Sequence, residues 1–172
     1  MTSEIIFRLQ LGLGYAAWLL ALRAYGIQRL RTTAPPDTLR AIATLHSFRF
    51  FRLVFILPGV VSPELPANFA AAAAYGDFAT GLFAMLALLT FNRRSLFLLF
   101  TVAFNLVGIA DLLTDYYHAT RINLPAIAGE LGAAYAIPIL YVPLLMMTHG
   151  ISIYLLIRMF RASQPVPTAD AR

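Results

Sequence analysis

The sequence predicts an all-α fold, a polytopic bundle of about five transmembrane helices with the N-terminus outside and the C-terminus inside, and three features carry that prediction. Of 172 residues, 60% are apolar and 12% charged, with mean hydropathy +0.74. A soluble domain carries about half apolar and a quarter charged residues, and a chain this short could not bury so much apolar surface in water. The apolar residues fall into stretches of about 20, the length that crosses a bilayer core. All 13 basic residues are Arg, and most gather at alternate ends of those stretches.

The first span covers residues 5–25, where Gly12 and Gly14 are placed for close helix contact. The leading MTSEIIFR has one acid, one base and no small-residue cleavage site after it, so the segment reads as an uncleaved helix, a largely apolar support. Residues 28–38, with Arg29, Arg31, Pro35 and Pro36, read as a loop, and Asp37 or Thr38 is a candidate cap for the next helix. The second span, 38–61, stops where Pro63 and Pro66 bracket a turn. The third, 68–91, opens on an Ala-rich run that offers a small-residue packing face. The fourth covers 96–117, and the Pro125, Gly129, Gly132 segment after it reads as a loop or short interfacial helix. The fifth, 136–160, contains Pro138 and Pro143, which membrane helices tolerate when neighbours satisfy the freed carbonyls. Residues 1–162 form one domain and 163–172 a disordered tail.

Orientation follows from the arginines. With the first helix entering from outside, the inner segments hold Arg23, Arg29, Arg31, Arg40, Arg93, Arg94, Arg158, Arg161 and Arg172, and the outer ones only Arg8 and Arg121. Topology therefore accounts for the net charge of +5, and no nucleic-acid partner is expected. The absence of Cys removes disulfides, thiolate chemistry and Cys-ligated metal centres. No Gly-rich phosphate loop, HExxH helix or G-x-S-x-G elbow is present, so no catalytic residue is assigned and an enzyme is not the expected class.

Ionisable side chains at bilayer depth are costly and usually face the bundle interior. Counted from the outer end of each span at about 1.5 Å per residue, Arg49, Arg52, Asp77, Asn105, Asp111 and His149 share a layer near mid-depth. His46, Arg49 and Arg52 recur every third residue, a stripe that drifts around an α-helix. In the fourth helix, Thr101, Asn105, Gly108, Asp111, Asp115 and His118 make a polar stripe toward the outer surface. Arg49 and Arg52 are expected to balance Asp77 and Asp111, giving a layer of zero net charge. Asp115, Tyr116, Tyr117 and His118 are expected in an interfacial belt. Two plainer readings stand beside this: the pairs only fix helix register, or the second helix starts later and leaves both arginines at the cytoplasmic face.

His46 is expected toward the cytoplasmic side, His149 mid-depth and His118 at the outer edge, so no two match in depth for bis-His haem, while a single-His haem through His149 stays open. Asp111, Asp115 and His118 have ligand-like spacing, with only Glu64 and Glu130 nearby in outer loops, and no metal is assigned.

The order Arg49-xx-Arg52, Leu65-Pro66-xx-Phe69-Ala70, Gly76-Asp77 with Gly81, Asn105-xx-Gly108-xx-Asp111 and Ile137-Pro138-xxxx-Pro143-xxxxx-His149 resembles a family of small, uncharacterised bacterial integral membrane proteins. That resemblance implies a bacterial cytoplasmic membrane and supplies no catalytic residue. The functional expectation is a membrane protein that binds or conducts a small solute, ion or proton through the polar layer, with His149 and Asp77 as proton-linked groups. The alternative is an accessory subunit that packs its Ala-rich third helix on a membrane partner or a second copy.

Overall fold

The computed structural model describes residues 1–162, so the tail predicted for 163–172 lies outside the described residues. Among the described residues the chain is helical, with one isolated bridge between Pro58 and Val61 in place of any strand. Helix α1 spans Ser3–Thr32, continuous through a π-helical turn at Leu22–Gly26. The predicted loop at 28–38 shrinks to Thr33 and Ala34. Gln28, Arg29, Leu30 and Arg31 are good helix formers, and cations suit the helix C-terminus. Helix α2, Pro35–Ser47, begins with prolines in its first turn, and Ala34 precedes it with no side-chain cap. Neither Asp37 nor Thr38 caps, because proline at the first positions removes N–H groups that would need a partner.

From α2 the chain runs directly into a 3₁₀ helix, Phe48–Ile56. It ends at Leu57, short of the predicted 61, and Gly59 with φ +82° helps turn the chain outside it. Helix α3 covers Ala67–Leu89 and α4 Arg94–Arg121. A second 3₁₀ helix, Ala128–Tyr135, leads into α5, Ile137–Ala162, whose first turns around Pro138 are π-helical. Helices α1, α3, α4 and α5 are each long and apolar enough to cross a membrane.

Two apolar cores stack along the bundle. One joins Phe55, Phe69, Leu112, Leu131 and Leu145, and the other Leu39, Ala84, Phe97, Phe104 and Leu155. On α3 and α5 the buried polar residues fall between the segments that feed these cores, as do Asn105 and Asp111 on α4. The small-residue face of α3 is used inside the chain: Ala73, Ala74, Ala84 and Ala87 are fully buried, and α3 packs mainly against α4 and the Phe48–Ile56 helix.

Helix α1 leaves Leu9, Leu13 and Leu20 exposed, yet polar contacts tie it down. Gly14, not Gly12, makes the close approach, lying against the carbonyl of Ile139. Trp18 Nε1 donates to the Leu140 carbonyl at 2.8 Å, in the turn that Pro143 leaves short of an N–H. The hydroxyls of Tyr15 and Tyr116 lie 2.6 Å apart, and Tyr135 donates to Gln10 Oε1 at 2.6 Å.

Candidate functional site

A 3₁₀ helix turns once every three residues, so side chains at i and i+3 eclipse. Arg49, Arg52 and Phe55 therefore form a single column, and all three are buried. The drift expected of this stripe in an α-helix does not occur. Nor do the arginines sit at a cytoplasmic surface: Arg49 is 0% and Arg52 3% exposed.

The rise matters as much as the rotation. Three 3₁₀ residues advance about 6 Å, and four α-helical residues also advance about 6 Å. Arg49 and Arg52 thus match the spacing of Asp111 and Asp115, one turn apart on α4. Arg49 Nη2 donates to Asp111 Oδ2 and Arg52 Nη2 to Asp115 Oδ2, both at 2.7 Å. From α3, the Asp77 carboxylate bridges the two arginines, Oδ1 accepting from Arg49 Nε and Oδ2 pairing with Arg52 Nη1.

His149 continues the network on α5. Its Nε2 lies 3.0 Å from Arg49 Nη1, which can only donate, so Nε2 accepts and the ring proton is on Nδ1. Nδ1 then donates to Asn105 Oδ1 at 2.9 Å. Asn105 Nδ2 in turn donates to Ser152 Oγ at 2.8 Å and to the Thr101 carbonyl at 2.7 Å. Two glycines make room for this packing. A Cβ on Gly76 would overlap Asp111 Oδ1, and one on Gly108 would lie 2.6 Å from both Arg49 Nη1 and His149 Nε2.

All six residues picked out from the sequence, Arg49, Arg52, Asp77, Asn105, Asp111 and His149, meet in this one network. Three expectations need correction. Asp115 is not part of an interfacial belt: it is 7% exposed and held by Arg52, while Tyr117 beside it is 58% exposed. The layer then holds three carboxylates against two guanidinium groups, one acidic group more than the balance of two and two expected. His46 is also deeper than expected, because its helix ends at Ile56. Its ring lies 4.2 Å from that of His149, and its Nε2 is 3.0 Å from Thr148 Oγ1. That stacking leaves no space for iron between the rings, and both His149 nitrogens are already engaged. The oxygens of Asp77, Asp111 and Asp115 come within 4.8 Å of one another, but Arg49 and Arg52 occupy the positions a metal ion would need.

The network is open to a cavity on one side. A half-open space of about 370 Å³ is bordered by Phe7, Leu11, Phe55, Phe69, Leu131 and Val142, with Arg8, Arg52 and Asp115 also in its lining. Another groove, lined by Phe51, Val54, Val60, Leu140 and Tyr141, reaches no member of the network.

Four apolar helices of membrane-crossing length around a buried ion network fit a membrane helix bundle. The sequence matches a domain of unknown function, DUF8737, over residues 6–157, and the chain belongs to that family. No curated protein and no solved structure matches it.

Proposed function

We propose that this is a five-span protein of a bacterial cytoplasmic membrane, N-terminus outside and C-terminus inside, that binds a small solute at the outer end of its ion network. The carrying observation is the 370 Å³ cavity whose polar lining joins Arg52 and Asp115 of the network to Arg8, Tyr116 and Thr120. Its volume is in the range of small-molecule sites, which are mostly apolar with a few placed polar groups. Binding is favoured over conduction because the inner half is filled by the packed core of Leu39, Phe97, Phe104 and Leu155. The fifth span is α2 with its 3₁₀ extension. Thirteen α-helical and nine 3₁₀ residues give about 38 Å, more than the ~30 Å of a hydrocarbon core.

The chain has no native Cys, which makes the cavity directly testable. Val142→Cys, in the cavity wall, is expected to react with 2-(trimethylammonio)ethyl methanethiosulfonate in water, and Ala73→Cys, fully buried elsewhere, to stay unlabelled. Equal resistance of the two positions would remove the solute-binding reading and leave the ion pairs a purely structural role.

A further inference from the structure

From the charge balance of the network we infer that the solute is a monovalent organic cation with an apolar body, such as a primary alkylammonium, and that it competes with a proton at Asp115. The inference rests on the solute-binding reading and names the ligand of that same cavity.

Arg49 and Arg52 carry two positive charges, and Asp77, Asp111 and Asp115 three negative ones, while the hydrogen bonds of His149 define a neutral ring. An uncompensated carboxylate at this depth is costly, so the excess charge is neutralised by a proton or by a cation. The site of neutralisation is set by which oxygens are committed. Both Asp77 oxygens are held by arginine, whereas Asp111 and Asp115 each commit only Oδ2, to Arg49 and Arg52, so the cavity decides between these two. Asp115 Oδ1 is buried with no hydrogen-bond partner, and Asp115 is the carboxylate that lines the cavity.

The surroundings of Asp115 favour a cation over an anion. From α1 come Arg8, an exposed lining residue paired with Glu4 at 2.7 Å, and Tyr15, bonded to Tyr116 of α4. The Phe48–Ile56 helix presents Arg52, with both terminal nitrogens on carboxylates and Arg49 beyond it. Asp77 faces the pair from α3 and Asp111 from α4, while α5 contributes only Pro138 and Val142 to the cavity. Arg52 keeps one unpartnered Nε–H, but two carboxylates already balance its charge, and the walls of Phe7, Leu11, Phe55 and Phe69 suit an apolar body.

Exchange at this site balances simply. A carboxylic acid at Asp115 and an incoming R–NH₃⁺ give a carboxylate paired with the ammonium and one proton released to water. Lowering pH therefore fills the site with protons and weakens cation binding.

The test uses the full chain in nanodiscs and isothermal titration with n-butyl-, n-hexyl- and n-octylammonium chloride. The matching alcohols and carboxylates serve as controls, and buffers of different ionisation enthalpy are compared to count protons. The ammonium series is expected to bind about fourfold tighter per added methylene, to release up to one proton per cation, and to weaken at lower pH. Asp115→Asn is expected to lose at least tenfold in affinity together with proton release. Should that variant fold poorly, Leu11→Trp, which fills the cavity without touching an ion pair, must still abolish binding. Alcohols or carboxylates binding as well as the ammonium ions would overturn the inference, as would full ammonium affinity in Asp115→Asn or Leu11→Trp. A reactive Val142→Cys with any of these outcomes condemns the cation and spares the cavity; an unreactive one condemns the site itself.

Discussion

Arg52 holds Asp115 at 2.7 Å, the same separation at which Arg49 holds Asp111 one turn earlier on α4. Two pairs can align in this way only because the 3₁₀ rise over three residues equals the α-helical rise over four, about 6 Å each. Moving the second arginine by one position tests this register. In an α-helix, positions 49 and 53 lie about 40° apart and share a face better than 49 and 52, about 60° apart. In a 3₁₀ helix position 53 lies about 120° away. The double variant Arg52→Leu, Leu53→Arg is therefore expected to strand Asp77 and Asp115. Breaking a buried pair costs about 3–5 kcal/mol, which lowers the thermal midpoint by at least about 6 °C for a chain of this size. Scanning fluorimetry on the sole tryptophan, Trp18, reads it; an unchanged midpoint would mean that the segment is α-helical.

The same relationship explains what was legible in the sequence. Hydropathy carried the four long apolar helices and their order, since those depend on composition alone. The polar layer was legible because an ionisable group in an apolar run must find partners. Asp115 was misassigned because an α-helical rise puts Arg49 and Arg52 only about 4.5 Å apart, out of step with Asp111 and Asp115. The signal was present in the shared face of those two aspartates on α4, but the 3₁₀ backbone that uses it is set by tertiary pairing. The end of that helix at Ile56 likewise moved His46 toward His149, and no local residue pattern marks it.

Glycine substitutions separate close packing from helix propensity. Gly76→Ala pushes against the Asp111 carboxylate and Gly108→Ala against Arg49 and His149, whereas a methyl group on Gly12 meets nothing within 4 Å. Gly12→Ala is expected to be neutral or to stabilise by up to about 1 kcal/mol through helix propensity. The other two are expected to lower the midpoint by several degrees, since strain of this kind costs about 1–3 kcal/mol. A midpoint for Gly108→Ala equal to that of Gly12→Ala would contradict the contact of Arg49 with His149 over that glycine.

The bond from Arg49 to His149 fixes a tautomer. Nitrogen-15 spectra of histidine-labelled protein should show His149 with a protonated Nδ1 and a bare Nε2, the pattern its partners Asn105 and Arg49 demand. His149→Ala leaves two buried polar atoms unpaired, at about 1–3 kcal/mol each. His149→Gln, which retains one donor and one acceptor, is expected to recover part of that loss. The reverse tautomer, with Nε2 protonated, would break the chain of donors from Arg49 to Ser152.

The span count turns on α2 and its 3₁₀ extension, a long helical segment outside the four apolar helices. If it crosses the membrane, Thr33 and Glu64 lie on opposite sides; if it does not, they share a side. Single cysteines at these two positions, in a chain that has none of its own, decide the matter with a membrane-impermeant maleimide. The Arg distribution and the ~38 Å length of the segment lead to labelling of Glu64→Cys on intact cells. Thr33→Cys should react only after the membrane is opened, and Asn92→Cys, beside Arg93 and Arg94, should behave as Thr33→Cys does. Labelling of both Thr33→Cys and Glu64→Cys from outside would reduce the bundle to four spans. The arginine column of Phe48–Ile56 would then have to be inserted from one face, and the cavity at Asp115 would open to the same side as the loop at Thr33.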